Sequence, residues 1–189
     1  MNQESTEKTL AIPLEQIIGS DLNFYETQEN DSESEIKLKS LEESIKAVGQ
    51  LTPITVFKNS DGYYEILSGH TRFSAIKNLY SDNIGNGTIL ARVVSLENAE
   101  NDDENAFEKL GYIVQGNIQR DKNFTQIETE IKYWDKVFDK KRENGEVSGR
   151  KDDWLAEHIG KSARTLRTLR KKIRVANGEE ETEEERSFS

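Results

Sequence analysis

The chain has 189 residues, of which 36 are acidic and 26 basic, so its formal net charge is −10. It has no cysteine, which excludes disulfide scaffolds, thiol catalysis and zinc sites built on thiolates. No stretch approaches the ~20 apolar residues of a membrane-spanning helix, and the N-terminus lacks a signal-peptide pattern. We therefore expect a cytoplasmic protein of one or two domains without a membrane partner. Such an acidic total, taken alone, argues against nucleic acid as the partner.

The N-terminal half begins with weak structural signals. Residues 1–8 are predicted to be disordered, and a short edge strand follows from Thr9 to Leu14, close to a proline. The polar and acidic stretch 19–35 predicts a long loop. Apolar residues at helical spacing from Ile36 to Val48 then predict a helix, which Gly49 ends.

The rest of this half alternates strand-like and helical patterns. A turn-rich segment between two strand-like runs predicts a hairpin, and a glycine marks the passage from the second strand into a helix. In chain order, these elements are strands over 54–57 and 63–67, a helix after Gly69 that reaches Tyr80, a strand from Thr88 to Val94, an acidic loop over 97–105, and a helix from Phe107 to Gly116.

The C-terminal part is helical throughout. Thr125 and Glu128 have the spacing of a capping box and predict the start of a long helix. Two short helical patterns follow, 152–158 and 162–176, with Gly160 between them. The chain therefore divides into a part with strands and an entirely helical part.

The segment from Asp153 to Ile173 has the pattern of a helix-turn-helix. Ala156 is small where two helices must cross closely, and Gly160 suits a turn that needs a positive φ angle. Ser162 is placed to cap the second helix. We expect the shared apolar face to comprise Leu155, Ile159, Leu166 and Leu169.

The charge distribution reverses the first impression of an acidic protein. Residues 150–174 carry nine basic and three acidic side chains, a net of +6, whereas residues 1–50 carry 11 acidic and four basic, a net of −7. The basic segment coincides with the helix-turn-helix pattern, which predicts DNA binding through the second helix, although an ordinary helical hairpin would show part of the same pattern. Arginine suits both guanine edges and phosphates, and Arg170 and its basic neighbours are expected on phosphates. The residues predicted to face DNA are Lys161, Ser162, Arg164, Arg167, Thr168 and Lys171.

A second candidate site lies in the segment SGHTRFSA, Ser68–Ala75, where a strand passes into a helix. A glycine there would let a ligand approach the backbone, and the N–H groups at a helix start favour an anion. Arg72 is a candidate phosphate clamp, with His70 and Thr71 as hydrogen-bond donors. The alternative is a turn with a solvent-facing arginine.

With these segments in view, the chain resembles the ParB family of chromosome and plasmid partition proteins across residues 9–175. Four segments carry the resemblance, in the order of the family, and the helix-turn-helix pattern follows them. They are IPLEQI (Ile12–Ile17), LKSLEESIKAVGQLTPITV (Leu38–Val56), which is similar to a helix and a GxxxPI strand, ILSGHTRFSA (Ile66–Ala75), at the GERRxxA motif, and GNIQRDKNFTQIE (Gly116–Glu128), at the ENxQR motif.

The resemblance implies an α+β fold, with a small mixed-sheet ParB/sulfiredoxin-like domain followed by an all-α helix-turn-helix domain. It places the boundaries at 9–118 and 119–176, with the helix-turn-helix over 153–173 and an acidic tail over 177–189. It also implies binding to a palindromic DNA site, CTP and Mg²⁺ binding in the first domain, and a dimeric clamp. The nucleotide residues it implies are Gly49, Pro53, Gly69, His70, Thr71, Arg72, Asn117, Gln119 and Arg120, with Asn117 also placed at the metal.

Three departures from the family pattern bear on chemistry. His70 stands where the family has glutamate, and Thr71 replaces an arginine, which removes a positive charge from the phosphate motif. Gly116 replaces the glutamate of ENxQR, so we expect CTP binding with weak hydrolysis at most. We also expect no C-terminal dimerisation domain, self-association through the N-terminal domain instead, and a ParA-type ATPase as an uncertain partner.

Two other functions stay open at this point. One is a transcriptional regulator of a mobile element with a degenerate nucleotide site. The other is an enzyme on the same scaffold, either a kinase with Glu65 as its base or a nuclease with the carboxylates of residues 102–104, whereas sulfiredoxin activity is excluded because the chain has no cysteine.

Overall fold

A computed structural model describes residues 8–25, 32–96, 102–118 and 122–176. The chain divides into two compact units, Met1–Asn117 and Ile118–Ser189. The predicted disordered segment 1–8 and the predicted acidic tail 177–189 lie outside the described residues except for Lys8, which begins the first strand.

The first unit is built on a mixed five-stranded sheet. Its strands are β1 (Lys8–Pro13), β2 (Ile17–Ile18), β3 (Ile54–Lys58), β4 (Tyr64–Ser68) and β5 (Thr88–Val94), in the spatial order β1-β5-β3-β4-β2. β1 pairs with β5 and β3 with β4 in antiparallel fashion, whereas β3–β5 and β2–β4 are parallel. The predicted hairpin of β3 and β4 and the predicted strand over 88–94 are confirmed, and the mixed sheet agrees with the expected α+β class.

Three helices belong to the described part of this unit: α1 (Ser32–Val48), α2 (His70–Ser81) and α3 (Asp102–Gly116). The helices α2 and α3 cover the two faces of the sheet, whereas α1 packs against α2. On one face, Ile54, Val56 and Ile66 are fully buried and Phe73 of α2 packs against them. On the other face, Leu67 and Val94 form a core with Ile113 of α3. Apolar residues therefore follow one another within β3 and β4 because both sides of the strands are buried.

Two helices begin earlier than their apolar patterns indicate. α1 begins at Ser32, not at Ile36, and Ile36 and Val48 are 67% and 60% exposed, so the apolar face is shorter than predicted. α3 begins at Asp102, within the predicted loop. Both first turns are polar, so no hydrophobic periodicity marks them, and acidic residues near a helix N-terminus are favoured by its dipole. The two-residue strand β2 was not predicted.

A register shift near the end of β4 determines which way its last residues face. Val56 pairs with Ile66 and Thr55 with Ser68, so Leu67 is the extra residue of a β-bulge. Because of this shift, Ser68 is the residue that pairs with Thr55 on β3. Ser68 lies directly against Gly116 at the end of α3.

The second unit consists of three helices: α4 (Phe124–Glu143), α5 (Lys151–Ile159) and α6 (Ala163–Ala176). Their shared core contains Ile127 and Ile131 of α4 together with Leu155, Ile159 and Leu166. Leu155, Ile159 and Leu166 are buried as predicted, and Leu169 packs against them partly exposed. The helical part of the sequence prediction is therefore confirmed in its packing.

The start of α4 differs from the prediction. The capping box is formed by Asn123 and Gln126: the Asn123 side chain accepts from the Gln126 N–H at 3.0 Å, and the Gln126 side chain accepts from the Asn123 N–H at 3.0 Å. The predicted box of Thr125 and Glu128 is wrong, because Thr125 lies inside the first turn. Among the helices that the structure describes, none is long and apolar enough to cross a membrane.

Candidate functional site

The turn between β4 and α2 presents the start of a helix to solvent. Gly69 has φ 101° and ψ 24°, and it caps α2 without a side-chain hydrogen bond. The first N–H groups of α2 therefore meet no capping side chain from Gly69, and a helix start in this state favours an anion. Thr71 is exposed in the first turn, and His70 is half-buried with its Nε2 atom buried.

The structure gives a different reason for the glycine than ligand approach. A Cβ atom at position 69 would lie 2.6 Å from Cγ2 of Ile54, which is fully buried at the start of β3. Gly69 is therefore needed for the positive φ angle and for close packing on Ile54. The prediction that it also lets a ligand approach the backbone stays a prediction.

Arg72 joins this turn to the loop before β3. Its Nη1 atom donates to the carbonyl oxygens of Thr52 at 3.0 Å and Pro53 at 2.5 Å. Burial lowers the pKa of the Arg72 guanidinium, which nevertheless stays charged at neutral pH. The guanidinium has five N–H donors, and Nε and Nη2 carry three of them. Arg72 is thus a bridging residue, not the solvent-facing arginine of the alternative interpretation.

The loop Gly49–Pro53 is held from a second side by Gln50. The Oε1 atom of Gln50 accepts from the N–H of Leu90 at 2.7 Å, and its Nε2 atom donates to the Leu90 carbonyl at 2.8 Å. Gly49, with φ 78°, ends α1 through its N–H bond to Ile45. Sequence reasoning missed Gln50 because a loop side chain has no periodicity; its position between Gly49 and Pro53 was the available signal.

The end of α3 packs against the last residue of β4. Gly116 lies so close to Ser68 that an added Cβ atom would be 2.4 Å from Oγ and 2.9 Å from Cβ of that serine. Asn117 follows, and its Nδ2 atom donates to the Ile113 carbonyl at 2.8 Å. The other predicted residues of this segment, Gln119 and Arg120, lie outside the described residues.

The predicted nucleotide residues of the first unit thus lie around the end of the sheet where β3 begins and β4 ends. Direct contacts connect Arg72 to Pro53 and Gly69 to Ile54, and the Gly116 contact with Ser68 brings Asn117 near. This arrangement offers a helix start and a guanidinium to an anion. Across the described ranges, no group of three or more His, Asp or Glu side chains is arranged to hold a metal ion.

The second candidate site is the surface of α6. Gly160 adopts φ 70° between α5 and α6, and Ser162 Oγ accepts from the N–H of Thr165 at 3.1 Å, as the predicted cap requires. Ala156 is 5% exposed at the helix crossing. The six residues predicted to face DNA are all exposed: Lys161, Ser162, Arg164, Arg167, Thr168 and Lys171.

One residue predicted to contact phosphate has another role. Arg170 is half-buried, and its Nη1 atom lies 2.5 Å from Oδ1 of Asp152 while Nη2 lies 3.4 Å from Oδ1 of Asp135. This guanidinium joins α6 to α5 and α4. The prediction for Arg170 is therefore wrong, because its place on the inner side of α6 puts two carboxylates within its reach.

Comparison with known proteins identifies the family of the first unit. The sequence pattern of the ParB N-terminal domain matches residues 1–107. The chain belongs to this family. No curated protein is similar enough in sequence to count as a match.

Two solved ParB structures, with TM-scores above 0.5, have the same fold. The C-terminally truncated chromosome-partitioning protein ParB from Caulobacter crescentus, complexed to the centromeric parS site, is 21% identical, with a TM-score of 0.51 over 85% of this chain and 69% of that one. A pNOB8-like ParB-N domain is 15% identical, with a TM-score of 0.53 over 88% of this chain and 68% of that one. The Caulobacter crescentus protein complexed with CTP-γ-S is 21% identical, with a TM-score of 0.44 over 86% and 76% of the two chains.

Glu65, the carboxylate considered as a kinase base, is engaged within this ParB-type fold. It accepts from Ser20 Oγ at 2.6 Å and pairs with Lys109 Nζ at 2.5 Å. The contact connects β4 to α3, and Lys109 also lies 4.8 Å from the centre of the Phe57 ring. Glu65 therefore stabilises the packing of α3 on the sheet.

Proposed function

We propose that this ParB-family chain binds a specific, palindromic site in double-stranded DNA and acts in plasmid or chromosome partition. The observation that supports this most is the exposed basic face of α6, next to a turn of the helix-turn-helix type. The solved relative complexed to parS motivates the choice of DNA as the partner.

The front of α6 has the features that major-groove recognition requires. Arg164 and Arg167 are one helical turn apart and exposed, and the Nε atom of Arg167 donates to the Ala163 carbonyl at 3.2 Å. Thr168 Oγ1 donates to the Arg164 carbonyl at 3.1 Å, which orients it along the helix. Side chains that are already oriented lose less conformational entropy on binding. We assign base contacts to this face and phosphate contacts to Lys161 and Lys171.

The charge distribution favours selective binding over non-specific binding. Phosphate contacts supply most non-specific affinity, and the chain as a whole carries a net charge of −10. Its basic residues are concentrated in residues 150–174, with a net of +6 from nine basic and three acidic side chains. Affinity therefore depends on this segment meeting its site, and the acidic remainder opposes other contacts.

The first unit is proposed to bind CTP at the start of α2. There the N–H groups of the first turn and the Nε and Nη2 atoms of Arg72 would hold phosphate oxygens, and the Gly49–Pro53 loop would contact the base. Asn117 could offer Mg²⁺ one neutral oxygen, so the ion would take most of its ligands from the triphosphate and water. Because Gly116 supplies no carboxylate, we expect hydrolysis to be weak.

A palindromic site implies that the protein binds as a dimer, because a two-fold dimer contacts two symmetric half-sites. The first unit is the proposed dimerisation platform, with CTP binding closing the dimer as a clamp around DNA. A ParA-type ATPase is the further partner that the family implies. Crosslinking of the full chain with and without CTP and DNA tests the dimer, and an unchanged monomer under all conditions would contradict it.

DNA binding is tested first by selecting a duplex from a randomised library with the full chain. Arg164→Ala/Arg167→Ala should abolish preference for the selected site and reduce the salt dependence of the remaining affinity. The control is Lys136→Ala/Lys140→Ala, which removes the same charge from exposed positions of α4. Equal affinity of the α6 double variant and the parent would overturn the proposal.

Nucleotide binding is tested by calorimetry with CTP, ATP and GTP in the presence of Mg²⁺. The expected result is heat with CTP and its loss in Arg72→Ala, with thermal denaturation checking that the variant is folded. A parent that binds its DNA site and gives no heat with CTP would support the second candidate, a transcriptional regulator with a degenerate nucleotide site. His70, Thr71 and Gly116, which replace charged residues of the family motifs, are the observations that favour it.

A further inference from the structure

Gln50 occupies an unusual position for a loop side chain. It lies between Gly49 and Pro53, and both polar atoms of its amide contact the backbone of Leu90 in β5. Leu90 lies one residue before Ala91, where the parallel pairing of β3 with β5 begins. The Gln50 amide therefore continues that ladder beyond the start of β3, in the role that a peptide group would have.

The loop that contains Gln50 is thus held from two sides. On the first side, the Gln50 amide is fixed to β5, and its Nε2 atom also donates to the Thr52 carbonyl at 3.1 Å. On the second side, Arg72 donates to the Thr52 and Pro53 carbonyls. Between the two attachments Leu51 is 79% exposed, so no packing of its own side chain orders the loop.

We propose that Gln50 is a positioning residue for the nucleotide base: it holds the Gly49–Pro53 loop in place and does not contact the base itself. This inference rests on the proposed nucleotide site. Gln50 is not assigned a contact with the base because its amide is already engaged: its oxygen accepts from the Leu90 N–H, and its nitrogen donates to the Leu90 carbonyl. A base placed against the loop would instead meet exposed backbone groups that Gln50 and Arg72 keep in position.

The two attachments divide the site by ligand group. Arg72 belongs both to the loop and to the turn that would hold phosphate, whereas the described contacts of Gln50 lie only in the loop and β5. Loss of the Gln50 amide should therefore weaken binding of the base and leave phosphate binding unchanged. General destabilisation of the first unit would weaken both.

The experiment uses Gln50→Glu and Gln50→Leu in the full chain, with CTP and inorganic triphosphate as separate ligands. Gln50→Glu keeps the shape and places a carboxylate oxygen against the Leu90 carbonyl, whereas Gln50→Leu removes all three hydrogen bonds of the side chain. We expect CTP affinity to fall about tenfold in each, because the loop is no longer fixed to β5. Triphosphate affinity should be unchanged. The matched control is Gln16→Leu, an exposed glutamine of the same unit.

Hydrogen exchange of the Leu90 amide, measured without nucleotide, separates this inference from the proposed function. We expect about tenfold faster exchange in Gln50→Leu, which loses the acceptor of the Leu90 N–H, than in the Gln16 control. Unchanged exchange would overturn the positioning role, and so would equal losses of CTP and triphosphate affinity. A parent that binds neither ligand, with Leu90 exchange faster in Gln50→Leu, would contradict the nucleotide site while keeping the loop contact.

Discussion

Adding a single methyl group at position 116 should destabilise the first unit. A Cβ atom there would lie 2.4 Å from Oγ and 2.9 Å from Cβ of Ser68, where ordinary contacts are about 3.4–4 Å. The hydroxyl can rotate away, but the Cβ atom of Ser68 moves only with the backbone of β4. The end of α3 or the strand must therefore shift by about half an ångström to admit Gly116→Ala.

The magnitude follows from two opposing effects. Overpacking of this kind costs about 2 kcal/mol, whereas replacing glycine at the last residue of a helix recovers about 0.5–1 kcal/mol. The net loss of stability is therefore about 1 kcal/mol. With a slope of about 2 kcal/mol per molar urea, the unfolding midpoint should fall by about 0.5 M.

The assay is urea denaturation followed by far-UV circular dichroism, with tryptophan fluorescence as an internal reference. Both tryptophans, Trp134 and Trp154, belong to the second unit, so the change should appear in the circular dichroism and leave the fluorescence transition in place. The control is Gly19→Ala, since an added Cβ there would meet nothing within 4 Å.

A double-mutant cycle decides whether the named contact is the cause. Ser68→Gly removes both atoms that the new Cβ would meet, so only the gain from replacing glycine remains, and Gly116→Ala should stabilise that background by about 0.5–1 kcal/mol, a coupling of about 2 kcal/mol. A Gly116→Ala variant as stable as the parent would refute the reasoning, as would an equal cost in both backgrounds. Gly116→Glu, which introduces the family carboxylate, meets the same two atoms. Any test of that carboxylate in hydrolysis therefore needs the Ser68→Gly background.

Three further predictions concern the second unit. Glu130→Gln removes the carboxylate that pairs with the buried Lys122 at 2.7 Å, and it should lower the free energy of unfolding by about 3 kcal/mol in urea titrations followed by tryptophan fluorescence. Burial raises the pKa of the Tyr133 hydroxyl, so the folded state favours its neutral form. The stability that Tyr133 contributes is therefore full below the ordinary tyrosine pKa of about 10 and is lost as pH rises through the raised pKa of the folded protein. In absorbance titrations at about 295 nm, Tyr133→Phe should remove a component that ionises above the ordinary tyrosine range; loss of a component within that range would contradict this assignment. Arg170→Ala should lower the free energy of unfolding of the helices by about 1–2 kcal/mol, because it removes the partner of two carboxylates. Arg164→Ala, at an exposed position, should change it by less than about 0.5 kcal/mol. A larger effect of Arg164→Ala in thermal denaturation would be inconsistent with the observed ion pairs.

The helical pair α5–α6 could be predicted from sequence because its signals are local. Helical spacing, the glycine at 160 and the capping serine at 162 all lie within a few residues of what they determine. The cap of α4 was harder to predict, because two pairs of nearby residues carry the same local signal. Asn123 with Gln126 and Thr125 with Glu128 both have cap spacing, and only the structure shows that the first pair forms the box.

The candidate nucleotide site was only partly predictable. Sequence resemblance identified Gly69, Arg72 and Asn117, but it could not say what Arg72 contacts. The chain brings the loop at 49–53 next to α2 through the sheet, and this proximity makes the Thr52 and Pro53 carbonyls the partners of Arg72. Gln50 was missed because its partner, Leu90, is 40 residues away in sequence.

The sequence by itself determined that this acidic chain carries a basic helical segment, a strand-rich first half and the motif order of the ParB family. Those properties follow from composition, local periodicity and residue order, which need no knowledge of distant contacts. Only the tertiary structure decided the pairing of β1 with β5, the engagement of Arg170, and the packing that requires glycine at 69 and 116. Each of these depends on atoms from distant parts of the chain meeting within a few ångströms, and close packing fixes such contacts only when the whole sheet and its helices are assembled.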